Sequence, residues 1–152
     1  MDMLQSAYGV QVFGFVADVV AIATVGWLRT YSSRIGLFKI CSAFSCYQVE
    51  FSGKLSTMRG AVCLGFILLL ISVIMASVYI FKQNVRGYKK YRWAVAIMVL
   101  LGGIFGFVGP LFGIGNYGFT PSYSLYIALL AGILSIVAGS LHIVAVKRTV
   151  FE

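Results

Sequence analysis

Four long apolar stretches, separated by polar segments, dominate the pattern along the chain. The first runs from about Ala7 to Leu28, the second from Ala61 to Phe81, the third from Trp93 to about Ile114, and the fourth from about Tyr123 to Val146. Each is near the length of roughly 20 residues that a helix needs to cross a hydrocarbon core of roughly 30 Å. Transmembrane helices are therefore predicted at 7–28, 61–81, 93–114 and 123–146, in one tetraspan domain over residues 1–152. Between them lie a first loop at 29–60, a basic loop at 82–92 and a short second loop at 115–122, which reads as a turn. Inside the first loop the period changes. Tyr47, Val49 and Phe51 alternate with Cys46, Gln48 and Glu50, and the run from Ile35 to Cys41 is also strand-like. A small β-hairpin is predicted there, with Ser42 to Ser45 as its turn.

Composition sharpens this picture. Of 152 residues, 61% are hydrophobic and only 11% charged, against about 25% charged in a soluble domain. That excludes a disordered chain or a nucleic-acid-binding tail and argues against a soluble enzyme. The net charge of +8 changes meaning once the charges are located. No cation lies between Arg92 and Lys147, and the basic residues flank the apolar spans. Lys82, Arg86, Lys89, Lys90, Arg92, Lys147 and Arg148 fall on the side of the two termini; Arg29, Arg34, Lys39, Lys54 and Arg59 fall on the other. Seven against five favours cytoplasmic termini and an extracellular first loop. The first span lacks a basic leading segment and is too long for a signal core, so it is expected to be retained. Lys82, Arg86, Lys89, Lys90 and Arg92 are expected to meet anionic inner-leaflet lipids, with Tyr88, Tyr91 and Trp93 in the interfacial belt and Trp27 at the opposite interface.

Candidate chemistry is sparse. Cys41 and Cys46 sit in the first loop; if that loop is extracytoplasmic they can form a disulfide. Free thiols are the alternative, and zinc is a weaker one, because one pair cannot fill four positions and His142 lies in the fourth span. Asp18, within the first span, is expected to face the bundle interior, with Ser72 or Ser135 at similar depth as partner. Small residues at spacing four (Gly102 and Gly106, Gly109 and Gly113, Ala128 and Gly132, Ser135 and Gly139) suit close packing of the third span on the fourth. Pro110 is expected to bend the outer end of the third span. No hydrolase, metalloprotease or phosphate-loop motif occurs, so no enzyme, cofactor, metal or nucleic-acid partner is predicted.

Trp27, then Gly36-Leu37-Phe38 leading to Cys41, then Cys46, with Arg59 opening the second span, resembles the signature of the claudin, PMP22, epithelial membrane protein and lens MP20 superfamily. The short gap between the cysteines looks closer to the MP20-like branch, and Phe38 stands where that signature has Trp. The resemblance implies a left-handed four-helix bundle topped by a small extracellular antiparallel β-sheet. The Cys41–Cys46 bridge would hold that sheet, Trp27, Gly36, Leu37 and Phe38 would anchor it, and Arg59 would cap or pair nearby. It implies a plasma-membrane protein, at cell junctions in some members, acting in cell–cell contact or membrane organisation. Its expected partners are lipids and either further copies of itself or a larger integral membrane protein. An auxiliary subunit of a channel or other membrane complex is the alternative, and a paracellular or transmembrane ion pathway the third.

Overall fold

A computed structural model describes residues 3–24, 26–29, 33–36, 39–42, 45–48, 54–82, 89–112 and 120–151. Four helices make up most of it: α1 (Met3–Ala23), α2 (Lys54–Phe81), α3 (Lys89–Leu111) and α4 (Tyr123–Phe151). Their β-branched and glycine content would weaken a helix in water. In hydrocarbon, backbone groups have no competing water and bond within their own segment. All four are long and apolar enough to cross a membrane. The distribution of side chains matches that solvent. Phe13, Ile67, Ile74, Ile97, Ile104, Leu130 and Val137 point outward, while Gln11, Asp18, Ser72, Ser135 and His142 are buried. Lipid tails solvate the apolar exterior, so the helices are drawn together by close packing and polar bonds.

The packing order follows from where the small residues lie. α4 packs along both α1 and α3, α3 packs along α2, and α1 meets α2 over much less of its length. A Cβ placed on Gly132 would stand 2.7 Å from the backbone nitrogen of Phe107, and one on Gly139 would stand 3.0 Å from that of Leu100. Those two glycines do bring α4 against α3. Gly102 and Gly109, expected on the same interface, instead face α2: Gly102 meets Leu69 and Gly65, and Gly109 meets Val62 and Ala61. Gly106 lies between, close to Gly132 on one side and to Gly65 on the other. Ala128 belongs to a cluster with Ala21, Trp27, Met58 and Val62. The cause is geometric. α3 is sandwiched, and residues one apart on a helix point about 100° apart, so Gly102 and its neighbour Gly103 serve different partners. Spacing shows which residues share a face, not which helix that face meets. Gly113 lies outside the described residues.

Between α1 and α2 come β1 (Leu28–Arg29), β2 (Ser33–Ile35), β3 (Lys39–Ser42) and β4 (Cys46–Gln48); β5 (Thr120–Pro121) precedes α4. They form one antiparallel sheet in the order β4-β3-β2-β1-β5. The predicted hairpin is β3–β4, with Cys41 opposite Cys46, a disulfide between them, and Ser42 N–H donating to Ser45 O at 2.9 Å. Ile35, expected in that hairpin, lies in β2. The second loop is more than a turn, because β5 pairs with β1. Two residues are too short to carry a periodic signal, and Pro121 is tolerated because β5 is an edge strand. Val49, Glu50 and Phe51 lie outside the described residues. Across the sheet, Leu28 and Ile35 are buried toward the helices, while Arg29 and Arg34 are exposed on the other face.

α1 stops at Ala23, short of the expected Leu28. The Thr24 hydroxyl turns back onto the carbonyls of Val20 and Ala21 at 3.0 and 3.1 Å, two of the four acceptors in the last turn of the helix. α2 starts at Lys54 and α4 runs to Phe151, both beyond the apolar spans, because an established helix propagates through polar flanks more readily than it nucleates.

Candidate functional site

The sheet is tied to the helices at one junction. Trp27 has no exposed surface; its indole N–H donates to Ala21 O at 2.7 Å and its backbone N–H to Ile35 O at 3.0 Å. Its carbonyl accepts from Ser122 N–H at 3.0 Å. Gly26 exchanges bonds with Ser124, donating to its Oγ at 3.1 Å and accepting from its N–H at 3.0 Å. The Ser124 hydroxyl also bonds Thr24 Oγ1. The backbone at Gly26 runs close beneath the Tyr123 ring: a Cβ there would stand 2.4 Å from it, so a larger residue would have to displace that ring. Trp27 therefore turns inward and presents no surface to lipid or water; it is the buried post on which sheet, α1 and α4 meet. Its indole donor has a carbonyl within reach only inside the junction, and a buried N–H needs such a partner. Gly36 is buried next to β2, and Arg59 is half-buried in the second turn of α2. Leu37 and Phe38 lie outside the described residues.

Asp18 is 2% exposed, inside the bundle as expected. Neither expected partner reaches it. Ser72 accepts from Gln11 Nε2 at 3.0 Å and donates to Leu69 O at 2.8 Å. Ser135 lies opposite Gly14, one turn of α1 from Asp18, and its hydroxyl has no partner among the described residues. The early start of α2 and early end of α1 explain the mismatch. Both shift Asp18 toward the sheet end and Ser72 toward the other end, by about two turns for α2.

A polar chain that the sequence reading missed runs below Asp18. Gln11 has no exposed surface, and its amide oxygen lies 2.9 Å from His142 Nε2. With the amide nitrogen committed to Ser72, that oxygen accepts and His142 presents Nε2–H. One side chain on α1 thus joins α2 and α4. Tyr8 Oη and Ser77 Oγ bond at 2.7 Å, a further link of α1 to α2; Ser77 in turn donates to Val73 O. The only sequence signal for Gln11 is an amide inside an apolar span.

At the end of the bundle that carries the termini, Lys82, Lys89, Lys90, Lys147 and Arg148 are exposed, and Arg86 lies outside the described residues. Arg92 departs from this basic group. It is half-buried, with its guanidinium carbon 5.4 Å from the centre of the Tyr79 ring and Nη2 donating to Ala145 O at 3.4 Å. Tyr91 stacks on Tyr79 and donates to Met75 O at 2.7 Å. Attraction of the cation to the ring face turns Arg92 inward. Arg92, Tyr79 and His142 share a pocket with Leu4, Val95 and Val146.

Among the described residues, no group of three or more His, Cys, Asp or Glu stands close enough to hold a metal ion. No protein-family model and no curated protein matches the chain.

Proposed function

We propose that this chain is a claudin-like multi-pass protein of the plasma membrane, with cytoplasmic termini and the sheet on the extracellular side. It acts without catalysis, through protein–protein association in cell–cell contact or membrane organisation. The sheet is the observation that carries this. It is cross-linked by Cys41–Cys46 and fastened to α1 and α4 through Gly26, Trp27, Ser122 and Ser124. Disulfides persist in oxidising compartments, which supports the outer side for β3 and β4. A small disulfide-held antiparallel sheet on four apolar helices is also the arrangement implied by the resemblance at Trp27, Gly36, Cys41, Cys46 and Arg59. A platform held rigidly above a bilayer suits recognition, because little entropy is lost when it binds.

The thin contact between α1 and α2 favours a second function, that of an auxiliary subunit. These helices meet through side chains at Tyr8–Ser77, Gln11–Ser72 and the stacked rings of Phe15 and Phe66, whereas α3 and α4 approach backbone to backbone. The seam offers a helix of a larger membrane protein a place to lie.

Expression of the tagged chain alone separates the two. Chemical cross-linking in the membrane and mass measurement in nanodiscs are expected to give homo-oligomers, with clustering where cells touch. A monomer that co-purifies with a larger integral protein from native membranes supports the auxiliary role instead. Membrane-impermeant amine labelling of intact cells is expected to modify Lys39 and to spare Lys89 and Lys90; the reverse pattern defeats the proposed topology.

A further inference from the structure

We infer that Asp18 and Ser135 form a buried proton-binding site inside the bundle, approached from the end that carries the termini. Asp18 is 2% exposed and Ser135 0%. Among the described residues, no hydrogen bond or ion pair reaches the Asp18 carboxyl, and the Ser135 hydroxyl is unsatisfied. Nearly all buried polar groups in folded proteins are paired, so two orphans on facing helices point to one shared occupant. The geometry brings them together. Gly14 of α1 is set against the Ser135 hydroxyl of α4; a Cβ on Gly14 would stand 3.1 Å from its Oγ. Asp18 is one turn further along α1, and helical side chains lean toward the N-terminus of their helix. The carboxyl therefore leans back toward Ser135.

The chemistry selects the proton. A carboxylate in a low-dielectric interior is costly unless a proton neutralises it or a cation balances it. The neighbouring elements supply no such cation. α1 has no other charged residue. On α2, Cys63 is the titratable neighbour; Arg59, one turn beyond it, acts on that thiol and not on the Asp18 carboxyl. On α4, His142 lies about two turns past Ser135 and is bonded to Gln11. The cations of α3, Lys89, Lys90 and Arg92, stand in its first turn, at the other end of the bundle. A metal cation needs a shell of several oxygens, and these two side chains supply too few. The protonated acid has an O–H to donate, and Ser135 Oγ is the acceptor at hand, directly or through one water. Binding forms one Oδ–H bond with a proton drawn from solvent water, and release breaks the same bond.

Access is one-sided. Gln11, Gly14 and Asp18 lie on one buried face of α1, about a turn apart. Gln11 bonds His142, and His142 lines the pocket that it shares with half-exposed Leu4, Ile80 and Arg92. Toward the sheet the described neighbours form an apolar layer, with Ala21, Leu125 and Ala128 fully buried. A proton thus has polar groups to follow between the pocket and Asp18, and an apolar layer beyond. The assignment needs only that the helices span a bilayer; it does not depend on which side the sheet occupies or on any partner.

Infrared spectroscopy of the full chain in nanodiscs is the test. At neutral pH wild type is expected to show the carbonyl stretch of a protonated carboxyl group, which shrinks as pH rises and is missing from Asp18→Asn. Should that variant fail to fold, isotope-labelled aspartate in an Asp2→Asn chain reads Asp18 directly, because it is then the only aspartate. Ser135→Ala, which removes the acceptor, is expected to shift the band without abolishing it. Transfer into heavy water exchanges the proton, and Gln11→Met with His142→Phe is expected to slow that exchange. An ionised Asp18 at neutral pH overturns the proposal. So does loss of the band on adding sodium at constant pH, which would indicate a metal cation site, and so does a band that Ser135→Ala leaves unshifted. Exchange as fast in the Gln11 and His142 double variant as in wild type overturns the approach from the termini.

Discussion

Gln11 bonds α2 through its amide nitrogen and α4 through its amide oxygen, so its loss exposes two partners at once. Replacement by Met preserves volume while leaving the Nε2–H of His142 and the Ser72 hydroxyl without that amide. The expected destabilisation is about 1–2 kcal/mol, the usual range for an unsatisfied buried group, tempered by the modest strength of hydrogen bonds between helices in bilayers. Combining Gln11→Met with His142→Phe is expected to recover part of the loss, because replacing both partners by apolar groups removes the unpaired donor. Unfolding by denaturing detergent, followed by helical circular dichroism, measures both; identical midpoints for wild type and Gln11→Met would show the bond to be idle. Asp18 was legible as an interior residue because hydrocarbon excludes a carboxylate. Its neighbours were not, because a shift of two turns in one helix moves a predicted partner out of reach.

Individual elements differ in how much they revealed. The helices could be read from length and hydropathy, and the β3–β4 hairpin from alternation ending at paired cysteines. Strands β1 and β5, of two residues each, have no period to detect and exist because the junction at Trp27 aligns their backbones. Glycines provide the test at this scale. Gly132→Ala would drive a Cβ into the Phe107 backbone at 2.7 Å, where no side chain can move aside. It is expected to destabilise the α3–α4 pair by about 1–3 kcal/mol, typical of overpacking. Gly60→Ala, with nothing within 4 Å of its Cβ, is expected to lose nothing and to gain up to about 1 kcal/mol from helix propensity. Thermal unfolding of the two variants in detergent checks the contrast; equal effects would refute the packing assigned to Gly132.

For the whole molecule, the sheet and the bundle are joined chiefly at the α1–α4 end, so a weakness in one need not spread to the other. Cys41→Ser with Cys46→Ser opens a loop of sequence separation 5. A short closed loop restrains the unfolded chain little, and the expected loss is about 2 kcal/mol. It should be confined to β3 and β4, with the helices intact. Hydrogen exchange by mass spectrometry is expected to show faster exchange over 39–48 and no change over 61–81; uniform acceleration would mean that the hairpin supports the whole fold. Alkylation of the non-reduced wild type should modify Cys63 and spare Cys41 and Cys46.

Local chemistry dictated the spans, their number, the buried position of Asp18 and the hairpin around Cys41 and Cys46. Hydrocarbon imposes its demands residue by residue: enough apolar length, internal backbone bonds, no exposed charge. Pairing across the fold obeys no such local rule. Only the folded chain decided that Gly102 and Gly109 serve α2, that Gln11 finds His142, that Arg92 turns onto Tyr79, and that Trp27 is buried where the sheet meets the helices. Each of these depends on the relative rotation and depth of helices far apart in the sequence, set by the packing of all four helices and by the strands that close their ends.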